Sequence, residues 1–478
     1  MDEYSIMAAI VEIGRSVRFE QLPGEVPGLV VRSVLDSVAC GVAGSTSESA
    51  MIMAHWAAGA GGDDASIMGT SLRASAAAAA LANGTATHAL HYDDMAVGMI
   101  HPSTVLVPAL LSIGEARHAS GIEVLDAYLA GYEVLGRISR VLAPAHFELG
   151  WHATSTIGRL GAAVAVSRLM GLGADEMTMA LGIAASTAGG LRISFGSMVK
   201  PLHAGQAAFH GVQAGQLAEA GLQAHDTVID GPLGFVHMFG PGRAGDLCEA
   251  MSSSEPTEML EWGIAIKNHA CCGAIHAAID GLLDLKAKHR FGASDIESVE
   301  VQLSSVAGEI LTWHTPRSAV EAKLSLEYSI AVALLDGRAG LAQYYEDRFA
   351  ALEVRALEPR IRLVISPSIP VTGYVFPAIT SVMLKNGQTH TVRVDVAKGY
   401  PGNPLSDAEH EAKILECCSP AFEPEQIFDL IEEVRNLEAC PDVTRVGRAM
   451  SSSRVQRSQP TRSGNRPSAS LRRTLSEQ

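Results

Sequence analysis

The chain has 478 residues, of which 47% are hydrophobic and 18% charged, and its net charge is −16. That composition excludes disorder for the bulk of the chain and leaves ample length for a large core, in up to about three domains. The acidic balance argues against nucleic acid as a partner, which needs a basic face. No apolar run read from the sequence reaches the roughly 18–20 residues that cross a bilayer, so no membrane partner is expected.

Apolar residues recur at helical spacing over 27–43, 72–90, 104–118, 121–142, 157–171, 174–187 and 204–222, and these are the predicted helices of the first half. Gly121, Gly171, Gly173 and Gly221 punctuate them. Most are apolar on more than one face, which places them in a layered helical core. With 46 Gly, abundant Ala and only 5% aromatic residues, the helices are expected to pack closely.

Near residue 265 the pattern changes. Residues 298–305 and 360–365 alternate as strands do, and 380–396 reads as two strands around Asn386-Gly387, a hairpin signal. Residues 321–336 read as a helix ending at Gly337. Helices return at 406–418 and 423–437. The predicted fold is mainly α: a large helical domain formed by both chain ends (1–265 and 399–448) around an inserted α+β domain (266–398). Residues 449–478 carry six Arg, one acid and few apolar residues, and read as a disordered basic tail.

The seven Cys are odd in number and form no C-x-x-C, which fits neither a disulfide framework nor a zinc ribbon. The first residues have no basic stretch before an apolar one, so no secretory signal is expected, and a cytoplasmic location is the default, with a mitochondrial one left open. HExxH, Walker A, GxGxxG and GxSxG patterns are absent from the sequence, so neither a metal nor an organic cofactor is expected.

Four segments concentrate chemistry. His88, His91, Asp93, Asp94 and His101 fall within 14 residues, followed by Pro102-Ser103-Thr104, which can open a helix. A helix start is a natural anion site because its first N–H groups lack partners. Trp151-His152-Ala153-Thr154 puts a histidine beside hydroxyls at another helix start, an arrangement for proton transfer or for simple capping. Lys200 precedes Pro201 and His203; a cation there opposes the helix dipole unless an anion joins it. Lys267 to His276 contains His269, Cys271, Cys272 and His276 where the two domains meet, and clefts between domains favour ligands.

In this order, HALHYDD and HPST (88–104), GWHATSTIG (150–158), KPLHAGQAAFHG (200–211) and CCGAIHAAID (271–280) resemble the 2-methylcitrate dehydratase/aconitate decarboxylase family, also called MmgE/PrpD, over residues 5–440. The resemblance implies a cofactor-free helical domain with an inserted lid, a homodimer, and lyase or epimerase chemistry on small di- and tricarboxylates. It implies His101, His152, Lys200 and Asp93 as catalytic residues. His91, Asp94, Ser103, Thr154, His203, His269, Cys272 and His276 are then expected to bind substrate. His91 replaces an Asp and Met95 a hydroxyl residue common among relatives. The expected function is decarboxylation of an aconitate-like or alkyl-aconitate acid. Dehydration of citrate, 2-methylcitrate or another alkylcitrate is the alternative, and epimerisation of a dicarboxylate the third. An inactive, dimeric anion-binding protein is the non-enzymatic reading.

Overall fold

Small residues decide how the first-half helices meet. The computed structural model describes residues 5–253 and 257–452. Its main helices there are α1 (Ile6–Ser16), α2 (Val26–Gly44), α3 (Glu48–Gly59), α4 (Ala76–His88), α5 (Ser103–Arg117), α6 (Gly121–Leu142), α7 (Ala153–Leu169), α8 (Ala174–Ser186) and α9 (Val199–Glu219). The fold is mainly helical, as the sequence predicts. Helix α4 packs against α2, α3, α5 and α9, and α7 lies against α6 and α9. At the α4–α9 crossing Gly84 faces Gly205: a Cβ on Gly84 would stand 2.8 Å from the Gly205 Cα, and one on Gly205 would meet the Leu81 carbonyl and the Thr85 hydroxyl. Only glycine permits that approach, and the approach brings the end of α4 to the start of α9.

The later part of the chain contains α10 (His276–His289), β3 (Ile296–Leu303), α11 (Leu326–Asp336), β4 (Ile361–Ile365), β5 (Ala378–Leu384) and β6 (Thr389–Val394); an earlier short pair, β1 (Ala65–Ser66) and β2 (Arg73–Ala74), belongs to the helical part. The sheet order is β4-β3-β5-β6, with β3 parallel to β4 and the other pairs antiparallel. Gly387, at φ 87°, closes the β5–β6 hairpin in the left-handed region. Helix α10 packs on β5, β6 and α11. The chain then returns as α12 (Asp407–Cys418), α13 (Pro424–Arg435) and α14 (Thr444–Ala449); α12 and α13 lie against α2, and α14 against α5.

Several expectations shift. Helix α9 begins at Val199 rather than 204, so Lys200 and Pro201 lie inside its first turn, where proline is tolerated because that N–H has no helical partner. Helix α7 begins at Ala153 rather than 157, and residues 73–74 pair as a strand before α4. Helices α1, α3 and α10 were not predicted. The expected helix over 321–336 is shorter, starting at Leu326 with the Ser325 hydroxyl accepting from the Tyr328 N–H at 3.2 Å. Helix α2 has 19 residues and a mean hydropathy of 1.5, enough by length and composition to cross a membrane, contrary to the sequence reading. Its buried Asp36 and its packing on α4, α12 and α13 are those of a core helix.

The tail boundary also moves. Met450 is buried, its carbonyl accepts from the Gly69 N–H at 2.8 Å, and the Ser452 N–H donates to Thr70 at 2.9 Å. Residues 449–452 therefore belong to the helical body, and the remainder of the expected tail, 453–478, lies outside the described residues.

Gly205→Ala tests the close crossing. The added methyl meets backbone that has no room to yield, and overpacking of this kind costs ~1–3 kcal/mol. The variant should unfold at a lower temperature in a melting scan, with activity falling as the α4–α9 spacing opens. An unchanged melting temperature would contradict the crossing.

Candidate active site

Three helix starts point at one cavity of about 60 Å³. His101 and Pro102 lead into α5, His152 caps α7, and Lys200 stands in the first turn of α9. His88, the last residue of α4, faces Lys200 across the glycine crossing. His91, His101, His152, Lys200, Lys267 and Cys272 line the cavity together with an apolar set that includes Met95, Met99, Phe147 and Phe195.

Between α4 and α5 the chain makes a strained loop. His91 and Met99 adopt left-handed φ of 56° and 60°, which costs a non-glycine residue about 1–2 kcal/mol. Two buried lysines offset that strain. The Lys267 ammonium donates to the His91 carbonyl at 2.9 Å, and the Lys413 ammonium donates to the Tyr92 carbonyl at 2.9 Å while pairing with Asp36 at 2.7 Å. The next two residues, Asp93 and Asp94, are thereby fixed.

A hydrogen-bonded chain runs from the cavity inwards. The Lys200 ammonium donates to His88 Nε2 at 2.6 Å, and His88 Nδ1 donates to Asp93 Oδ2 at 2.7 Å. His101 Nδ1 lies 3.0 Å from the same oxygen and 2.6 Å from the Asp94 carbonyl. These partners place the protons of both imidazoles on Nδ1, an assignment made from the network. Asp93 thus stands between two imidazole N–H groups. Burial works against its charge, but His88 and His101 outweigh that and hold its carboxyl well below the usual carboxylate range. His152 and His203 share one proton between Nδ1 atoms 3.1 Å apart.

Burial also sets the bases. It keeps His88 neutral, down to about 3, and lowers His101 and His152 below the ordinary imidazole value. Burial, then repulsion from Lys267 and Lys323, brings Lys200 to about 7 against the upward pull of Asp93. Lys323, also buried, falls to about 8. The site therefore gathers Lys200, Lys267 and Lys323 around one shielded carboxylate in a chain whose net charge is −16. Such a cluster of cations favours an anionic ligand.

Among the residues predicted for the site, His91, His101, His152, Lys200 and Cys272 line the cavity; seven do not. Asp93 stands behind His88 and His101. Asp94 accepts from the Ser103 N–H at 3.2 Å, and the Ser103 hydroxyl meets Tyr128 at 2.7 Å. The Thr154 hydroxyl accepts from the His101 N–H at 3.2 Å. His203 backs His152. His269 bonds Asp280 at 2.8 Å, and His276 is buried between His269 and Tyr400. Asp94, Ser103, Thr154, His203, His269 and His276 are packed behind the cavity lining. His88, Lys267 and Lys323 had no role in the sequence reading. His88 and Lys267 stood inside the quoted clusters, whereas Lys323 had no signal, because a buried lysine has the same letter as a surface one.

Ligand atoms of His88, Asp93 and His101 lie within 4.8 Å of one another. Two imidazole N–H groups on one carboxylate oxygen account for that closeness. A second cation beside the Lys200 ammonium would meet repulsion.

Residues 8–246 match the MmgE/PrpD N-terminal domain and residues 269–438 the MmgE/PrpD C-terminal domain. The chain belongs to the MmgE/PrpD family. It is an enzyme of the lyase class. Among MmgE/PrpD relatives, the cis-aconitate decarboxylase of Homo sapiens is 29% identical over 424 residues, covering 86% of this chain and 87% of its own. The cis-aconitate decarboxylase of Aspergillus terreus (strain NIH 2624 / FGSC A1156) is 28% identical over 467 residues, covering 92% and 94%. The cis-aconitate decarboxylase-like protein oryM of Aspergillus oryzae is 28% identical over 461 residues, covering 89% and 94%.

Asp94 offers a check on the electrostatics that is independent of turnover. Burial pushes its carboxyl up to about 8, so it is neutral at pH 7. A carboxyl raised in the folded state makes the native protein hold a proton that the unfolded chain releases above pH ~4. Stability is then lost as pH rises from about 4 to about 8, by at most ~1.4 kcal/mol per pH unit. Asp94→Asn removes that titration. Its stability relative to the parent should improve steadily between pH 5 and 8 in denaturant titrations; a difference independent of pH would show that Asp94 is ionised.

Proposed function

We propose that the protein decarboxylates an aconitate-like tricarboxylate without a metal or organic cofactor. The observation that carries this reading is the Lys200 ammonium, buried in the cavity, bonded to His88 and flanked by two further lysines. Relatives named cis-aconitate decarboxylase along nearly the whole chain support it.

In the reaction a carbon–carbon bond breaks and CO2 departs, leaving its electron pair on the carbon skeleton. The double bond shifts, and one proton is delivered to carbon, so each turnover consumes one proton. Lys200, Lys267 and the helix starts hold the carboxylates and stabilise the charge that spreads into the skeleton. Burial keeps the proton donor near neutral pKa, where a general acid is most effective. Lys200, at about 7, fits that role, and its contact with His88 and Asp93 orients the amine. Neutral His101, bonded through Nδ1, keeps Nε2 for the substrate. The His152–His203 pair supplies a second adjustable donor at the cavity wall.

Incubation with cis-aconitate, while CO2 and alkene absorbance are followed, should show one CO2 per acid consumed. Release of water from citrate or 2-methylcitrate without CO2 would instead establish a dehydratase. Lys200→Ala should lower kcat by ~10²–10³, the typical cost of removing one preorganised charged group, while circular dichroism stays native. Since the acid form of Lys200 is required and is lost as pH rises through about 7, kcat/KM should fall above that pH. In Lys200→Arg the residual activity should lack this limb, because guanidinium stays protonated. Near-normal turnover by Lys200→Ala would remove Lys200 from the chemistry.

A further inference from the structure

A groove of about 490 Å³ adjoins the cavity, and the two share Phe147, Phe195, Ile310 and Leu324. Phe147 and Phe195 come from the helical part, Ile310 and Leu324 from the later α+β part. Each of the two aromatic rings carries a cation. The Lys200 ammonium, which lines the cavity, lies 5.5 Å from the centre of the Phe195 ring. The Arg192 guanidinium, which lines the groove, lies 4.1 Å from the centre of the Phe147 ring. An acid lying across these two rings has a cation at either end.

The backbone of Arg192 is fixed to the segment that carries His152. The Arg192 N–H donates to the Gly150 carbonyl at 2.8 Å, Leu191 pairs with Trp151 as an isolated bridge, and the His152 N–H donates to the Gly190 carbonyl at 3.0 Å. The side chain is far less committed. Its Nη1 is buried without a hydrogen-bond partner among the described residues. Glu309 Oε2 stands 3.9 Å from that nitrogen, beyond hydrogen-bond distance. Glu309 belongs to the short helix Ser305–Ile310, and 57% of its side chain is exposed. Its carboxylate is already hydrated, so such a pair contributes little. A buried donor without a partner is costly, and a planar guanidinium can give two parallel hydrogen bonds to one carboxylate.

We propose that Arg192 binds the outward-facing carboxylate of the substrate, exchanging its loose contact with Glu309 for that group while the acid's other carboxylates meet Lys200 and Lys267. The inference rests on the tricarboxylate reading of the cavity and deepens it, because it makes one residue of the groove the determinant of the third carboxylate. Acids with two carboxylates use the lysines alone. Glu309 acts as a competitor that holds the guanidinium only until the substrate arrives.

The test uses two saturated acids that have no double bond to shift: tricarballylate, with three carboxylates, and methylsuccinate, which lacks one of its terminal ones. Their binding to the full-length protein is measured by calorimetry. Arg192→Gln should raise the dissociation constant of tricarballylate by about 10- to 100-fold, the range for a lost hydrogen bond to a charged group, and change that of methylsuccinate less than about twofold. Glu309→Gln should act in the opposite direction and tighten tricarballylate by about two- to fivefold, the value of an exposed pair; damage to the fold does not produce a gain. Unchanged tricarballylate binding in Arg192→Gln, or an equal loss for both acids, would overturn the role of Arg192 and leave the carboxylate reading of the cavity standing. Unchanged or weaker binding in Glu309→Gln would overturn the exchange. Failure of the parent protein to bind either acid would overturn both readings.

Discussion

Everything in the site depends on holding one carboxylate and several cations away from water. A buried charge costs several kcal/mol unless it is paired and hydrogen-bonded, and Asp93 answers that with two imidazole N–H groups on a single oxygen. The far nitrogen of His88 then accepts from Lys200, so the anion acts on the amine through a ring rather than by direct contact. Direct pairing would hold the ammonium firmly protonated. With the imidazole interposed, burial and the neighbouring lysines win, and the amine is left near neutrality.

The packing serves that arrangement. The Gly84–Gly205 crossing brings the end of α4 within hydrogen-bond reach of the start of α9. The loop carrying Asp93 and Asp94 is held by lysines from two other parts of the chain, Lys267 just before the α+β part and Lys413 from the returning helix α12. A mid-chain residue and the returning C-terminal helix thus bear on the same loop. The Asp36–Lys413 pair, itself outside the cavity lining, acts as a support for the Tyr92 carbonyl.

Much of this was legible in the sequence, for a physical reason. The mainly helical class follows from periodicity, and the strands at 298–305, 360–365 and 380–396 from alternation and the Asn386-Gly387 turn, because each is a local pattern. The clusters around His101, His152 and Lys200 stood out because polar residues gathered at helix starts are chemically dense. What local pattern does not contain is depth. Ser103, Thr154, His203, His269 and His276 have the same letters as cavity residues, yet their side chains are spent on wall contacts such as His269 with Asp280. Lys323 sits in an unremarkable segment and becomes part of the site only through tertiary burial. The start of α9 was placed at 204, where the apolar periodicity begins, although Lys200 and Pro201 lie within its first turn.

The titration of the Lys200 amine in the resting enzyme tests the central claim most directly. Its rate of modification by a small amine-selective reagent, followed by peptide mass spectrometry from pH 5 to 11, reports the fraction of free amine. The account requires half-maximal reactivity near pH 7. A midpoint near the ordinary lysine value, about 10.5, would contradict it, because the ammonium would then be an ordinary charged anchor and not a proton donor poised by burial.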